Sequence, residues 1–414
     1  MVKVCNAIMG AGKTNAAINY MNSNSDRRFI FVTPYLDEAK RIKDNCPTLH
    51  FVEPSNKIKE FGFSKSKHTA ALIKEGYNIT TTHEAFKFYT AEMLDDVRNM
   101  GYSLIIDESI SVLEQLSINT DDLQLLIEAG YLVYEDGFLN KTDKEYTGGL
   151  FRELWKMLDV RELISFEDKS TNDHLYYWTL PPNLIRSFEE VIVLTYLFKG
   201  QGLYYFFKLY NIEYEYIGVN RVNRRYEFCP APGYMPEYVQ NIRKRLIILD
   251  KDKLNAIGDD KYALSMSWFN RGGKEVQQLR KNTYNYFRNI KGNIPASKRM
   301  WGTYNSQKDV MKGKGYTNGF VTFNLRATNQ YKDKTCLVYL TNIFMNVGEK
   351  LFYQAHGLEV DEDLYALSTM IQWIWRSAIR DGNSVYLYIP SKRMRTILNN
   401  WLDSLDEGGM KFAE

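Results

Sequence analysis

The sequence predicts an α/β protein with mainly parallel sheets in two successive domains, and three observations carry that prediction. Apolar runs of strand length alternate with helical-period segments along the 414-residue chain, as in sheets covered by helices on both faces. The first run, Val2-Lys3-Val4-Cys5, leads into Ala7-Ile8-Met9-Gly10-Ala11-Gly12-Lys13-Thr14 and then a helical stretch over 15–21, giving strand, loop and helix. A later run, Ser103-Leu104-Ile105-Ile106, ends in Asp107-Glu108-Ser109. That ending puts two carboxylates at the carboxyl end of a strand, where open α/β sheets bind their ligands.

The segment 7–14 reads as a phosphate-binding loop. Gly10 and Gly12 let the backbone curl so that successive N–H groups point inward, Lys13 adds positive charge, and the Thr14 hydroxyl can hold Mg²⁺. A helix starting at this point turns its free N–H groups toward an anion. Gly10, Ala11, Gly12, Lys13, Thr14 and Asp107 are therefore the candidate nucleotide-binding residues, with Thr14 and Asp107 as Mg²⁺ ligands. Glu108 is placed to orient and deprotonate the water that attacks a γ-phosphate. The strict loop pattern begins with glycine, and here Ala7 stands there. An apolar run followed by Asp-Glu is commonly only a strand meeting a solvated turn; the loop at 7–14 is what gives it a catalytic meaning.

The remaining elements follow in order. Phe29-Ile30-Phe31-Val32 is a strand leading to Thr33-Pro34 and a helix through Ile42, and Ile79-Thr80-Thr81-Thr82 is a short strand followed by His83 and a helix. Residues 109–180 are less regular and read as an insertion, with a hairpin over 131–138 turning at Asp136-Gly137. The sheet resumes at Val191-Ile192-Val193-Leu194-Thr195. A basic stretch at 221–225, with Pro230, Pro232, Gly233 and Pro236 close behind, marks a linker and divides a first domain, 1–220, from a second, 221–414. Strands are expected there at 246–249, 263–268, 319–323, 335–340 and 384–389, and helices at 274–287, 364–380 and 392–405.

Composition bounds the function. With 44% hydrophobic and 25% charged residues the chain is globular and long enough for two or more domains. The longest apolar run, 191–198, is too short to cross a bilayer, and the phosphate loop starts too early to leave room for a signal peptide, so a cytoplasmic protein with no membrane partner is expected. Cys5, Cys46, Cys229 and Cys336 are scattered without metal-ligand spacing, which fits reduced thiols and indicates neither disulfides nor zinc.

The net charge of +3 hides an asymmetry, because residues 221–299 carry 17 Lys and Arg against 7 Asp and Glu. Its densest part, 276–308, has no acidic residue and interleaves Arg280, Lys281, Arg288, Lys291, Lys298, Arg299 and Lys308 with Tyr284, Tyr286, Phe287, Trp301 and Tyr304. Cations there can track phosphates while rings stack on unpaired bases, which makes Arg288, Lys291 and Trp301 candidate nucleic-acid contacts. A solvated helix whose aromatic face is core satisfies the same pattern.

Taken in order, these motifs resemble a superfamily 2 helicase or translocase, a P-loop NTPase fold of two RecA-like domains. In that family the first motif commonly begins with alanine, as at Ala7. Thr33-Pro34 resembles the next motif and Thr81-Thr82-His83 the one after. The resemblance implies that Thr33, Pro34, Thr82 and His83 touch a nucleic-acid backbone, although His83 equally fits a core histidine. Leu194-Thr195-Tyr196 resembles the element coupling hydrolysis to domain movement. Gln372-Trp373-Ile374-Trp375-Arg376-Ser377-Ala378-Ile379-Arg380 resembles the motif whose glutamine and two arginines act on the water and the γ-phosphate, which implies catalytic roles for Gln372, Arg376 and Arg380. A guanidinium there neutralises transition-state charge and accelerates hydrolysis by about a thousandfold or more. Trp375 replaces the usual glycine and the second arginine falls one residue late, so which arginine acts stays open. Two arginines at i and i+4 on one helix face, making ordinary ion pairs, are the alternative. Arg326-Ala327-Thr328-Asn329 is either the preceding motif or a turn.

Ser109-Ile110 after the acidic pair moves the chain away from the DEAD-box branch, and no glutamine-bearing adenine-reading segment precedes the loop. Tyrosine- and asparagine-rich composition looks phage-like, which puts the protein in a host cytoplasm. The resemblance thus implies ATP and Mg²⁺ as cofactors, and single-stranded or forked DNA with replication proteins as partners. The activity it implies is that of an ATP-dependent DNA helicase in replication or recombination. Alternatives are a nucleic-acid-stimulated ATPase that remodels or loads proteins without unwinding, and a phage packaging motor. The latter would bring a nuclease with clustered acids, whereas Asp361-Glu362-Asp363 reads as a solvated helix start. A nucleoside kinase would leave the second domain unexplained.

Overall fold

Runs such as Phe29-Ile30-Phe31-Val32 are apolar on both faces and must be covered on both sides. The computed structural model describes residues 1–116, 118–135, 137–168, 173–233, 235–324 and 330–406, and in it these runs are central strands. The chain forms two units, one made of 1–6, 12–233 and 346–360, the other of 7–11, 234–345 and 361 onward.

In the first unit the N-terminal strands are β1 (Val2–Asn6), β2 (Arg28–Thr33), β3 (Ile79–Thr82) and β4 (Tyr102–Asp107). The intervening residues form a separate set: β5 (Leu113–Gln115), β6 (Leu132–Glu135), β7 (Phe138–Lys141), β8 (Glu162–Asp168) and β9 (Asp173–Thr179). Then come β10 (Glu190–Thr195), β11 (Tyr214–Val222) and β12 (Arg225–Pro230). The main sheet runs β12-β11-β1-β10-β4-β2-β3, parallel except for the β11–β12 hairpin. Helices Lys13–Ser23, Leu36–Asn45, Lys65–Lys74 and Ala91–Asn99 connect its strands, and its core includes Val4, Ile30, Val32, Leu104, Ile106 and Val193.

The insertion is a five-stranded antiparallel sheet, β5-β9-β8-β7-β6, with its own core of Leu123, Leu126, Leu139, Leu163 and Trp178. The expected hairpin is β6–β7, in which Glu135 pairs with Phe138. Gly137 takes φ 86° there, a value that favours glycine, while Asp136 lies outside the described residues.

The second unit contains β13 (Leu246–Ile248), β14 (Arg299–Gly302), β15 (Cys336–Tyr339) and β16 (Val385–Tyr388), all parallel, in the order β13-β16-β15-β14. The chain is thus an α/β protein with mainly parallel sheets and one antiparallel insert.

Several expected elements differ. The segment 221–225 is no linker but the tip of the β11–β12 hairpin. Residues 263–268 do not form a strand: Ser265 accepts a hydrogen bond from the Trp268 amide at 3.3 Å and caps the helix Met266–Arg271, so the local cap outweighs the apolar run. Segment 319–323 contributes one bridge, Phe320 to Trp301, in place of a strand. The helix expected to reach residue 380 ends at Ile374, and Arg380 lies in a separate 3-10 turn, Ala378–Asp381. The two arginines therefore do not share a helix face.

In the basic segment 276–308 three of the five rings are core, while Tyr284 is exposed and Tyr304 half-buried. The helix Lys274–Asn285 and the π-turn Tyr286–Ile290 bury Tyr286 and Phe287, and Trp301 on β14 is fully buried. Its indole N–H donates to the Tyr316 carbonyl at 2.7 Å. Trp301 is a core residue and not a platform for bases, because its ring is fully buried, with Tyr316 and Phe320 packed edge-on against it.

Candidate nucleotide site

The loop after β1 is shaped by two left-handed glycines, Gly10 at φ 84° and Gly12 at φ 92°, with a turn closed by Ala11 N–H to Ile8 O at 3.1 Å. The helix Lys13–Ser23 starts at once, its first bond running from the Ala16 amide to Gly12 O at 2.8 Å, and no side chain caps it. Lys13 and Thr14 are half-buried in its first turn, where N–H groups and the helix dipole favour an anion.

One strand away across β10, β4 delivers the acidic pair. Asp107 pairs in register with Leu194 of β10, and the Glu108 amide donates to the Leu194 carbonyl at 3.0 Å. That bond holds Glu108 at φ 62°, a left-handed conformation that costs a residue with a β-carbon about 1–2 kcal/mol. Its Oε2 is buried and has no hydrogen-bond partner among the described residues. Asp107 is 8% exposed, and burial, then the neighbouring Glu108 and Glu38, push its carboxyl up to about 8 against the pull of Lys13 and Arg41. Among the described residues no group of three or more His, Cys, Asp or Glu is placed to hold a metal ion, so a hard cation here would rest on Asp107 with the remaining ligands supplied by Thr14, phosphate oxygens and water.

Sequence reasoning missed Glu38 and Arg41. They sit on the helix Leu36–Asn45, paired at 2.6 Å, and Arg41 donates to Asn15 Oδ1 at 2.5 Å. The only signal for them was an i, i+3 pair, which any solvated helix can carry.

The candidate nucleic-acid contacts divide. Thr33 ends β2 fully buried, with its hydroxyl free of partners, and Pro34 beside it is half-buried. The Thr82 hydroxyl accepts from the Ala85 amide at 3.2 Å as a helix cap. His83 is a core histidine, 5% exposed, with Nε2 2.8 Å from the Asp107 carbonyl oxygen. It braces the acidic strand. Thr195 is buried and its hydroxyl donates to Gln201 Oε1 at 2.7 Å.

In the second unit Gln372 is half-buried on the helix Glu362–Ile374, Arg376 is buried in the turn after it, and Arg380 is exposed. Arg288 is exposed, whereas the Lys291 ammonium sits 3.6 Å from the centroid of the Tyr386 ring. The segment 326–329 lies outside the described residues.

A protein of Bacillus subtilis (strain 168), "SPbeta prophage-derived uncharacterized protein YonV", is 36% identical over 421 residues, spanning 97% of this chain and 99% of that one. The chain belongs to the YonV family. Residues 240–402 match the YonV C-terminal Rossmann-like domain, which agrees with the parallel sheet β13-β16-β15-β14. Among solved structures, that of S. tokodaii Xpd4 overlays with a TM-score of 0.49 at 12% identity, covering 96% of this chain and 93% of that one. A structure titled XPD helicase gives 0.41 at 11% identity, covering 96% and 95%. No helix among the described residues of this YonV-family chain is long and apolar enough to cross a membrane.

Proposed function

We propose that this YonV-family chain is an ATP-dependent DNA helicase of two RecA-like domains, which couples hydrolysis to movement along single-stranded DNA. The observation that carries the reading is the pairing of Lys13, at the uncapped start of a helix behind a left-handed glycine, with Asp107 and Glu108 one strand away. In this reading Lys13 and the first-turn amides grip the β- and γ-phosphates. Thr14 and Asp107 would hold Mg²⁺, which when bound would offset charge on the phosphate oxygens. Glu108, its Oε2 buried and unpartnered, takes the proton from the attacking water. Gln372, Arg376 and Arg380 are the candidates for positioning that water and carrying transition-state charge. Pro34 and the exposed Arg288 are the candidate contacts to DNA, whereas Thr33, expected to join them, is fully buried and out of reach of a backbone phosphate. The prophage origin of the Bacillus relative favours a phage-borne role in replication or recombination, in a host cytoplasm.

The test is steady-state ATP hydrolysis by the purified chain, alone and with single-stranded DNA, duplex DNA or single-stranded RNA at equal nucleotide concentration and low salt. Strong stimulation by single-stranded DNA is the expected result, and a strand-separation assay then distinguishes unwinding from protein remodelling. Hydrolysis indifferent to every nucleic acid would overturn the helicase reading.

A further inference from the structure

A phosphate loop grips the polyphosphate and leaves the base to other residues. The β11–β12 hairpin supplies a candidate. Its tip, Asn223-Arg224, is left-handed at both residues, with φ 48° and 68°, and Val222 pairs with Arg225 to close a two-residue turn. One face of the hairpin lies along the helix Lys13–Ser23: the rings of Phe228 and Tyr20 are 5.8 Å apart, and Asn19 Nδ2 donates to the Tyr226 carbonyl at 2.9 Å. This brings the Tyr226 ring against Gly12 itself, so that a β-carbon there would run into the ring. The ring is half-buried, and the guanidinium of Arg221, its cross-strand partner, stands over it at 5.5 Å from the centroid. Arg221, Arg224 and Arg225 are all exposed.

Resting on the nucleotide reading of the loop, we propose that Tyr226 is the stacking platform for the nucleobase of the bound triphosphate, with Arg221 as the planar cation beside it. Stacking of a base on this ring requires the guanidinium to give up that face, since one face takes one flat partner. Arg221 sits on an exposed strand end and can move off the ring or cover the base from outside. The ring abuts Gly12, the residue immediately before Lys13, so the hairpin sets an aromatic wall beside the first turn of that helix.

Calorimetric titration of ATP and of inorganic tripolyphosphate into the full chain separates the two halves of the site. Tyr226→Leu should weaken ATP by about tenfold, the value of one lost base stack, and leave tripolyphosphate unchanged; Tyr226→Phe should restore ATP. Lys13→Ala should weaken both ligands. Photolabelling of the unmodified chain with 8-azido-ATP provides a readout independent of any variant, with label expected in the peptide 214–230. Equal losses of ATP and tripolyphosphate in Tyr226→Leu would reduce the ring to a support for the loop, and wild-type ATP affinity in that variant, or label confined to peptides outside 214–230, would overturn the platform. An unmodified chain that binds neither ligand would overturn the nucleotide reading together with the platform, whereas tripolyphosphate binding with no gain for ATP sinks the platform alone.

Discussion

Glu108 shows how much chemistry a single residue can carry when its backbone is constrained. Its left-handed φ of 62° is held by one hydrogen bond to Leu194 O, and its side chain keeps a buried oxygen without a partner. Strain of this kind points toward function when an outlier is observed, as it is here. Glu108→Gln should keep ATP affinity while lowering turnover by about 10²-fold or more, the range of a lost general base; single-turnover hydrolysis reads the second effect and equilibrium binding the first. Lys13→Ala should abolish turnover. Trp301 makes the opposite case. Truncation to Ala should lower stability by about 3–5 kcal/mol and leave the affinity of the folded fraction for single-stranded DNA unchanged, as followed by denaturant unfolding and fluorescence anisotropy. A fall in affinity without a fall in stability would restore it as a base contact.

At the scale of elements, the insertion is joined to the main sheet by a charged network. Lys87, after the short helix His83–Phe86, is 1% exposed and bonds Glu84 at 3.0 Å and Glu114 of β5 at 2.6 Å; Arg161 reaches the same carboxylate at 2.7 Å. Burial alone would raise the Glu114 carboxyl, yet Lys87 and Arg161 hold it below its ordinary value. A lowered folded value means stability that is fully present above the ordinary carboxylate range, near 4.5, and lost as pH falls through the lowered one. Thermal unfolding should therefore lose part of its midpoint in acid. Lys87→Met should remove about 1–2 kcal/mol at neutral pH, since Glu114 is partly solvated and screens the loss, and should flatten the acid limb. An acid limb identical to that of the parent chain would show that the network does not anchor the insert. A pairing of this kind, 27 residues apart in sequence, has no periodic signature, which is why residues 109–180 were legible only as an irregular insertion.

For the whole molecule, the consequence to test is coupling between nucleotide and DNA. Single-stranded DNA should raise turnover, and the stimulation should fall steeply with salt because phosphate contacts release counterions. Arg376→Ala and Arg380→Ala should both leave ATP affinity close to that of the parent chain, and the one with the larger loss of turnover identifies the residue that stabilises the transition state. Burial of Arg376 and exposure of Arg380 make the two chemically unequal. If neither variant slows hydrolysis, the catalytic assignment of residues 372–380 falls.

Five strands of the main sheet, the glycine loop before Lys13 and the acidic pair were readable from the chain alone, because each is a local pattern of apolar run, glycines or strand-end carboxylates; the hairpin β11–β12, read as a linker, was not. In the second half periodicity gave β13, β15 and β16 but missed β14 and put strands at 263–268 and 319–323, where none forms. It could not tell a core ring from an exposed one in 276–308, since aromatic spacing is the same for both, nor could it separate the apolar run at 263–268 from the Ser265 cap that makes it helical. Only the tertiary structure decided that His83 braces β4 through the Asp107 carbonyl, that Glu108 is left with a buried unpartnered oxygen, and that a hairpin 214 residues along the chain sets Tyr226 against Gly12. These depend on strand order, and strand order is fixed by packing between residues far apart in sequence.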